Sequence, residues 1–266
     1  SLEERVRPVL YINKIDRLIK ELRLTPEKMQ ETLANVVQNF NELIDTYAED
    51  EYKEKWKVSI QDGSVTFGSA KDRWAINIDI MKKKGVTFKD VIDAYSDSGK
   101  VEDLVEKAPL AEGVLGMVVK HHPPPHVAQK YRIPKIWKGD LESDTGKALL
   151  ACDDNGPTIM MCVNMTIDPA AGPVAIGRLF SGTIKDGQTI NIIDTKREGR
   201  VQSVNFFMSN IREQVGELGA GNIPALLGLT DVRAGQTLST VKGIPVFEAS
   251  KYVSEPVVQM AIEPKH

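Results

Sequence analysis

The sequence predicts an α/β unit followed by an all-β unit. Three observations carry that reading. Val6, Pro8, Val9, Leu10, Tyr11 and Ile12 form an apolar, partly β-branched run like a buried parallel strand, and it runs straight into the polar stretch Asn13-Lys14-Ile15-Asp16. Between Met29 and Tyr47 apolar residues recur every three or four positions, the period of an amphipathic helix. From about Ile136 onward the period becomes two, with Thr158, Met160, Cys162, Asn164 and Thr166 alternating against Ile159, Met161, Val163, Met165 and Ile167.

Taken in order, the first strand reads over residues 6–12. Thr25-Pro26-Glu27 then opens a long helix, with a hydroxyl to cap it, proline in the first turn and an acid near its positive end. Met29, Leu33, Val36, Val37, Phe40, Leu43, Ile44 and Tyr47 form one face of that helix, expected to pack in the core. Ala48 to Lys57 is charged and reads as a solvated turn. Trp56, Val58 and Ile60 alternate as a short strand, closed by Asp62-Gly63 into a further strand from Val65. After Lys71 the pattern reads helical: Ala75, Ile76, Ile78 and Met81, then Phe88, Val91 and Ile92, then Val101, Leu104 and Val105, and past Pro109 the run Leu110 to Val119. Pro123-Pro124-Pro125 ends the last helix, and a linker with little regular structure is expected to about Lys138. Beyond it, Val174 to Phe180, Thr183-Ile184, Thr189 to Ile193, Val201 to Phe207, Ile223 to Leu229 and Thr237 to Val241 join the 158–167 strand as six or seven short strands. Lys185-Asp186-Gly187-Gln188 is a tight turn with glycine at positive φ. Frequent glycine turns between short strands suggest a closed barrel.

Asn-Lys-x-Asp at the C-terminal end of a parallel strand has a definite chemical use, because ligands of open α/β sheets bind at that edge. The Asp16 carboxylate can accept hydrogen bonds from the N1–H and N2–H2 of guanine, groups that adenine does not offer, and a site built so rejects the wrong base. The Lys14 stem can lie against a purine ring, and the Asn13 amide can tie neighbouring loops together. A second run, Ser64 to Lys71, also reads as a strand and ends in Ser69-Ala70-Lys71, small residues that let backbone N–H groups approach a purine carbonyl. A polar strand-to-helix loop has the same composition as the first motif; the second motif, at the end of a second strand, favours the base-reading site.

The phosphate half of such a site is missing. Gly-x-x-x-x-Gly-Lys-Ser/Thr, whose amides cradle phosphate and whose hydroxyl holds magnesium, does not occur. Gly99-Lys100 is followed by Val101 with Ala94 at the first glycine position, and Gly146-Lys147 is followed by Ala148 with Leu141 there. No Asp-x-x-Gly precedes Asn13. The expectation is an internal piece of a G domain that holds the base-reading half and no catalytic residue.

The residues that carry these motifs resemble one family. Asn13-Lys14-Ile15-Asp16-Arg17-Leu18-Ile19, Glu21-Leu22, Thr25-Pro26-Glu27, Gly68-Ser69-Ala70, Lys107-Ala108-Pro109-Leu110, Gln129-Lys130-Tyr131-Arg132-Ile133-Pro134, Ile136-Trp137-Lys138-Gly139-Asp140 and Arg178-Leu179-Phe180-Ser181-Gly182-Thr183-Ile184 are similar to the elongation factor 2 family of ribosomal translocases, in its archaeal and eukaryotic form. The segment Gly177 to Gly187, with Gly219-Ala220-Gly221-Asn222-Ile223, resembles the second-domain barrel of translation GTPases. The resemblance implies a partial P-loop-type G domain over residues 1–133 with an inserted subdomain at about 22–62, a translation-factor β-barrel over 134–254, and the truncated start of a further domain over 255–266, weakly anchored. It implies a parent GTPase that moves tRNA and mRNA through the ribosome, with Asn13, Lys14, Asp16, Ser69, Ala70 and Lys71 binding the guanine of GTP or GDP. Magnesium would serve the intact protein, but its ligands are absent here, so this chain is expected to be inactive in hydrolysis. The partners implied are ribosomal RNA and proteins. The family's modified histidine lies in a later domain, so His121, His122, His126 and His266 do not inherit that role. The alternative is a non-enzymatic barrel that docks on ribosome or RNA.

Other features point to less. A net charge of −3 argues against a broadly basic nucleic-acid surface, though a local patch remains open. No apolar run reaches bilayer length, and two cysteines, Cys152 and Cys162, are too few for a disulfide framework, so a reducing cytoplasm and no membrane are expected. Both cysteines read as small core residues in strand segments. The prolines of His121-His122-Pro123-Pro124-Pro125-His126 prevent helical spacing of metal ligands, and no metal site is expected. Lys82-Lys83-Lys84-Gly85 reads as a solvated helix end, with an RNA contact as the sharper alternative. Asp153-Asp154-Asn155-Gly156 reads as a turn. A sheet lacking its other strands would expose edges, so self-association is a further expectation.

Overall fold

The computed structural model describes residues 2–96, 99–169, 171–209, 211–248 and 260–261. The chain divides into two compact units, residues 1–124 and 125–266.

In the first unit a 3-10 turn at Leu2–Glu4 precedes strand β1 (Leu10–Ile12) and helix α1 (Ile15–Lys20). Helices α2 (Pro26–Tyr47) and α3 (Asp50–Trp56) follow, then strands β2 (Val65–Ser69) and β3 (Trp74–Ile76), then helices α4 (Ile78–Lys84), α5 (Phe88–Ala94), α6 (Val101–Lys107) and α7 (Leu110–His121). β1 lies parallel to β2, with Leu10 opposite Val65 and Ile12 opposite Phe67, and β3 returns antiparallel on the other side of β2. α7 packs on β2 and β3. Gly113 of α7 lies against Ala75, and Asn77 Nδ2 donates to the Gly113 carbonyl at 3.3 Å.

Helix α2 starts where its sequence says, with the Thr25 hydroxyl accepting from the Lys28 N–H and proline in the first turn. Its apolar face is only partly core. Met29, Leu33 and Ile44 are buried, whereas Val36, Leu43 and Tyr47 remain 38%, 50% and 53% exposed, because α3 covers only part of that face. Three other expectations are corrected. Residues 50–56 form a helix rather than a solvated turn: Tyr52 and Trp56, one turn apart, stack with ring centroids 4.4 Å apart, and the charges occupy the remaining faces. Trp56, Val58 and Ile60 form no strand. The Val58 backbone is paired with a side chain instead, its N–H donating to Asn41 Oδ1 at 2.8 Å and its carbonyl accepting from Asn41 Nδ2 at 3.0 Å. The stretch after Lys71 is strand before it is helix, since Trp74–Ile76 pairs along β2, with Ser69 opposite Trp74, and only Ile78 onward is helical. Pairing with an existing strand outweighs a short helical pattern.

The second unit opens with helices α8 (Pro125–Ile136) and α9 (Asp144–Ala151). Among the described residues ten strands follow: β4 (Ile159–Asp168), β5 (Gly172–Ser181), β6 (Ile184–Lys185), β7 (Thr189–Ile192), β8 (Arg197–Arg200), β9 (Ser203–Met208), β10 (Ile211–Gln214), β11 (Glu217–Leu218), β12 (Ala225–Leu227) and β13 (Thr237–Ser239). Eight of them make one antiparallel sheet in the order β10-β9-β12-β5-β4-β13-β7-β8, and β6 pairs with β11. Met160, Cys162, Leu179, Ile184, Ile190, Val204, Leu226 and Leu238, from seven strands, meet in one core, so the sheet curls around them. The turn Lys185–Gln188 is present, with Gly187 at φ 77°.

The expected linker is helix α8, within which the expected boundary at 133/134 falls. Pro125 sits at its first position, where a missing N–H costs nothing and the ring pre-sets φ. Helix α9 was not read from the sequence at all; Ser143 caps it by accepting from the Gly146 N–H at 3.0 Å. Both helices belong to a second core of Ile133, Trp137, Leu149, Ile159, Phe180 and Phe247. Cys152 is therefore not in a strand: it caps α9 in the left-handed region at φ 55°, half-buried. The strands beyond the expected six or seven are β8, β10 and β11, short and polar, two of them at the sheet's margins where charge discourages further pairing. Of the expected domain start at 255–266, only Met260 and Ala261 lie within the described residues.

His121, at the end of α7, is buried with Nε2 unpartnered, and burial pulls its pKa down. The folded state therefore disfavours the proton relative to the unfolded chain. The stability this gives is complete above the ordinary histidine pKa of ~6.5 and is lost as pH falls through it. Thermal midpoints between pH 7.5 and 5 should fall less in His121→Gln than in the unchanged chain; equal slopes would remove His121 as a cause.

Candidate functional site

The parallel pairing of β1 with β2 sends both chains out at one sheet edge, which brings Asn13 beside Ala70, 57 residues further on. The Asn13 side-chain oxygen accepts from the Ala70 N–H at 2.9 Å and from the Lys14 N–H at 2.8 Å. One carbonyl thus joins the loop after β1 to the turn after β2. Tyr11 places its hydroxyl 3.5 Å from the same oxygen. Gly68 lets this packing happen, since a Cβ there would lie 2.9 Å from the Tyr11 hydroxyl and closer still to the Trp74 carbonyl.

Lys14 occupies the left-handed region, at φ 68° and ψ 32°, just before α1. That conformation costs a residue with a Cβ on the order of 1–2 kcal/mol, and strain of this kind gathers at functional sites. It turns the chain so that Ile15 and Asp16 enter the first turn of α1, where both are buried. Asp16 is only 7% exposed, yet among the described residues no group donates a hydrogen bond or ion pair to its carboxylate. The carboxylate oxygens are not among the atoms closed to solvent, so both acceptors remain open at this edge. The negative charge is felt nearby. Tyr11 is raised by burial and then by Asp16, and the Tyr95 phenol is raised by burial, by its hydrogen bond to Asp72 and, more weakly, by Asp16.

The second motif forms the turn between β2 and β3. Ser69 is fully buried, and its hydroxyl accepts from the Asp72 N–H at 3.1 Å; Ala70 and Lys71 are exposed at the tip. Behind the turn, Tyr95 donates to Asp72 Oδ2 at 2.6 Å and accepts from the buried indole N–H of Trp74 at 2.7 Å. Lys20, one turn beyond Asp16 on α1, holds its ammonium 4.6 Å from the centre of the Tyr95 ring. Asn13, Lys14, Asp16, Ser69, Ala70 and Lys71 are thus gathered at one edge. Tyr11, Asp72, Trp74, Tyr95 and Lys20 join them without having been read from the sequence. The one available signal was Trp74, because a buried indole N–H requires an acceptor.

The other candidates have structural partners. Lys83 and Lys84 both reach Glu112, each at 3.1 Å, at the end of α4. Asp153 caps its own turn by accepting from Asn155, and Asp154 accepts from the Ala220 N–H at 2.6 Å. Burial pushes the Cys162 thiol up to about 11, which makes it a core residue without nucleophilic character.

Comparison with known proteins places these features in context. Residues 172–239, from β5 through β13, match the family model described as elongation factor Tu domain 2. Over its whole length the chain is 80% identical to "Elongation factor 2" of Cenarchaeum symbiosum (strain A), of which it covers 36%. It is 50% identical to "Elongation factor 2" of Sulfurisphaera tokodaii, covering 37% of it. The protein of that name in Saccharolobus islandicus is 49% identical, again with 37% covered. The resemblance read from the motifs extends over the whole chain, which spans little more than a third of the length of these relatives.

Asn13→Ala would leave the Lys14 and Ala70 N–H groups without their acceptor. It should lower stability by about 1–2 kcal/mol and speed amide exchange at both positions. Exchange unchanged at Ala70 would mean that Asn13 does not join the loops.

Proposed function

We propose that this chain, akin to elongation factor 2 from end to end, carries the guanine-recognition half of the GTP site of a ribosomal translocase, followed by that factor's second-domain β-barrel. The Asp16 carboxylate, set on a largely buried residue and free of donors among the described residues, carries the reading. It has the acceptor pair that guanine N1–H and N2–H2 would satisfy and adenine would not. The Lys14 stem would cover one face of the base. With the Ala70 N–H held by Asn13, the neighbouring Lys71 amide is the donor assigned to the guanine carbonyl.

GTP or GDP is the cofactor of this reading, with magnesium at the phosphates. The 266 residues contain neither Gly-x-x-x-x-Gly-Lys-Ser/Thr nor an Asp-x-x-Gly ahead of Asn13, so no step of phosphoryl transfer is assigned to any residue here. The parent factor would hydrolyse GTP and act on the ribosome in the cytoplasm, with the barrel as one of its contacts to ribosomal RNA and protein.

Two measurements test this. Titration with GDP and with ADP should show selective binding of GDP, abolished in Asp16→Ala; equal binding to that variant would sink the pocket assignment. Phosphate release from GTP by this chain should not exceed a buffer blank.

A further inference from the structure

We infer that Tyr95 is a positioning residue for guanine recognition, joining from behind the two loops that Asn13 joins in front. The inference rests on the guanine reading above. β1 and β2 fix only the roots of the loops. The base would be read by Asp16 on α1 and by the Lys71 amide in the turn 70–73, and a polar site of this kind needs its groups held within about 0.5 Å. Asn13 supplies one brace, between Lys14 and Ala70.

The second brace is Tyr95, from the C-terminal end of α5. Its hydroxyl uses both its hydrogen-bonding functions on the turn, donating to Asp72 Oδ2 at 2.6 Å and accepting from Trp74 Nε1 at 2.7 Å. Asp72 in turn gives its N–H to the Ser69 hydroxyl at 3.1 Å, so the hydroxyl of Tyr95 fixes both ends of the turn that carries Ala70 and Lys71. The face of the same ring receives the Lys20 ammonium at 4.6 Å, and Lys20 lies one helical turn from Asp16. A single side chain therefore spans from the acceptor helix to the donor turn. Trp74 is fully buried, and among the described residues Tyr95 is the acceptor of its indole N–H. Burial and the Asp72 bond raise the Tyr95 phenol, which keeps it a neutral donor through the physiological range.

The test uses the full chain, GDP and ADP as probes, and the Trp74 indole resonance in 15N-edited NMR. Tyr95→Phe removes the hydroxyl and keeps the ring under Lys20. It should weaken GDP binding about 10-fold, the size of effect expected when a hydrogen bond to a charged partner is lost. It should also reduce the preference for GDP over ADP and shift the Trp74 indole N–H with faster solvent exchange. Amide protection in β1 and β2 should stay unchanged, which separates positioning from unfolding. Asp72→Asn, which keeps the shape and weakens the acceptor, should move affinity and indole signal the same way by less. If Asp16→Ala abolishes GDP binding while Tyr95→Phe binds as the unchanged chain does, with its indole signal shifted, the Tyr95 role is overturned and the pocket stands. If the unchanged chain shows no preference for GDP, the guanine reading falls and the Tyr95 role with it.

Discussion

The parallel register of β1 on β2 is the constraint on which the first unit depends. Parallel strands deliver their C-terminal ends to the same edge, whereas an antiparallel pair would send the two loops to opposite ends. With Ile12 opposite Phe67, Asn13 leaves β1 two positions before Ala70 leaves β2, close enough for one side-chain oxygen to reach across at 2.9 Å. Sliding β1 by one residue would turn its side chains to the opposite face and carry Asn13 away from Ala70. The helix that follows, the burial of Asp16 and the approach of Lys20 to Tyr95 all follow from where that register places the end of β1.

The cost of this edge is uneven. Elsewhere the buried polar atoms without partners are mostly neutral: Gln129 Oε1, Ser181 Oγ and His121 Nε2. Gln129 still donates to two carbonyls, at 2.6 and 2.9 Å, so its burial is largely compensated. Asp16 differs in kind: it carries a charge, no described residue donates to its carboxylate, and its oxygens keep a path to solvent. It sits two residues from Lys14, held in a strained backbone conformation, and close to two tyrosines whose phenols it disfavours from ionising. Strained backbone and perturbed neighbours gathered at one edge are features that cluster at functional sites.

Much of this was legible in the sequence where the signal is local. The strand before Asn13, the Thr25-Pro26 helix start, the alternation of 159–167 and the glycine turn at 187 all depend on neighbours within a few residues, and all appear as expected. The misreadings share a cause. Trp74–Ile76 is a strand because β2 is there to pair with it, and Val58 is no strand because Asn41, 17 residues back, occupies its backbone groups. Helix α8 was hidden by a proline that ends one helix and suits the start of the next. In the site, the residues named by motif are those at strand ends. Asp72, Trp74 and Tyr95 were missed because a tyrosine hydroxyl that serves a turn more than 20 residues away leaves no spacing pattern.

Base reading and phosphate binding use different atoms, and their energies separate accordingly. In the proposed site two carboxylate acceptors, one amide donor and a lysine stem would contact few ligand atoms, and small contacts give modest affinity once the cost of fixing a ligand is met. Discrimination does not follow affinity down. Adenine presents no N1–H and no N2–H2, so it would leave the Asp16 carboxylate buried and unpaired, a penalty set by the protein and independent of how the rest of the nucleotide is held. In the proposed site an edge braced by Asn13 in front and Tyr95 behind would keep that penalty intact, because a loop free to shift could turn Asp16 further toward water and accept either base. On the proposed reading, selectivity would rest on the stiffness of two short loops, to which the hydrogen bonds of Asn13 and Tyr95 contribute.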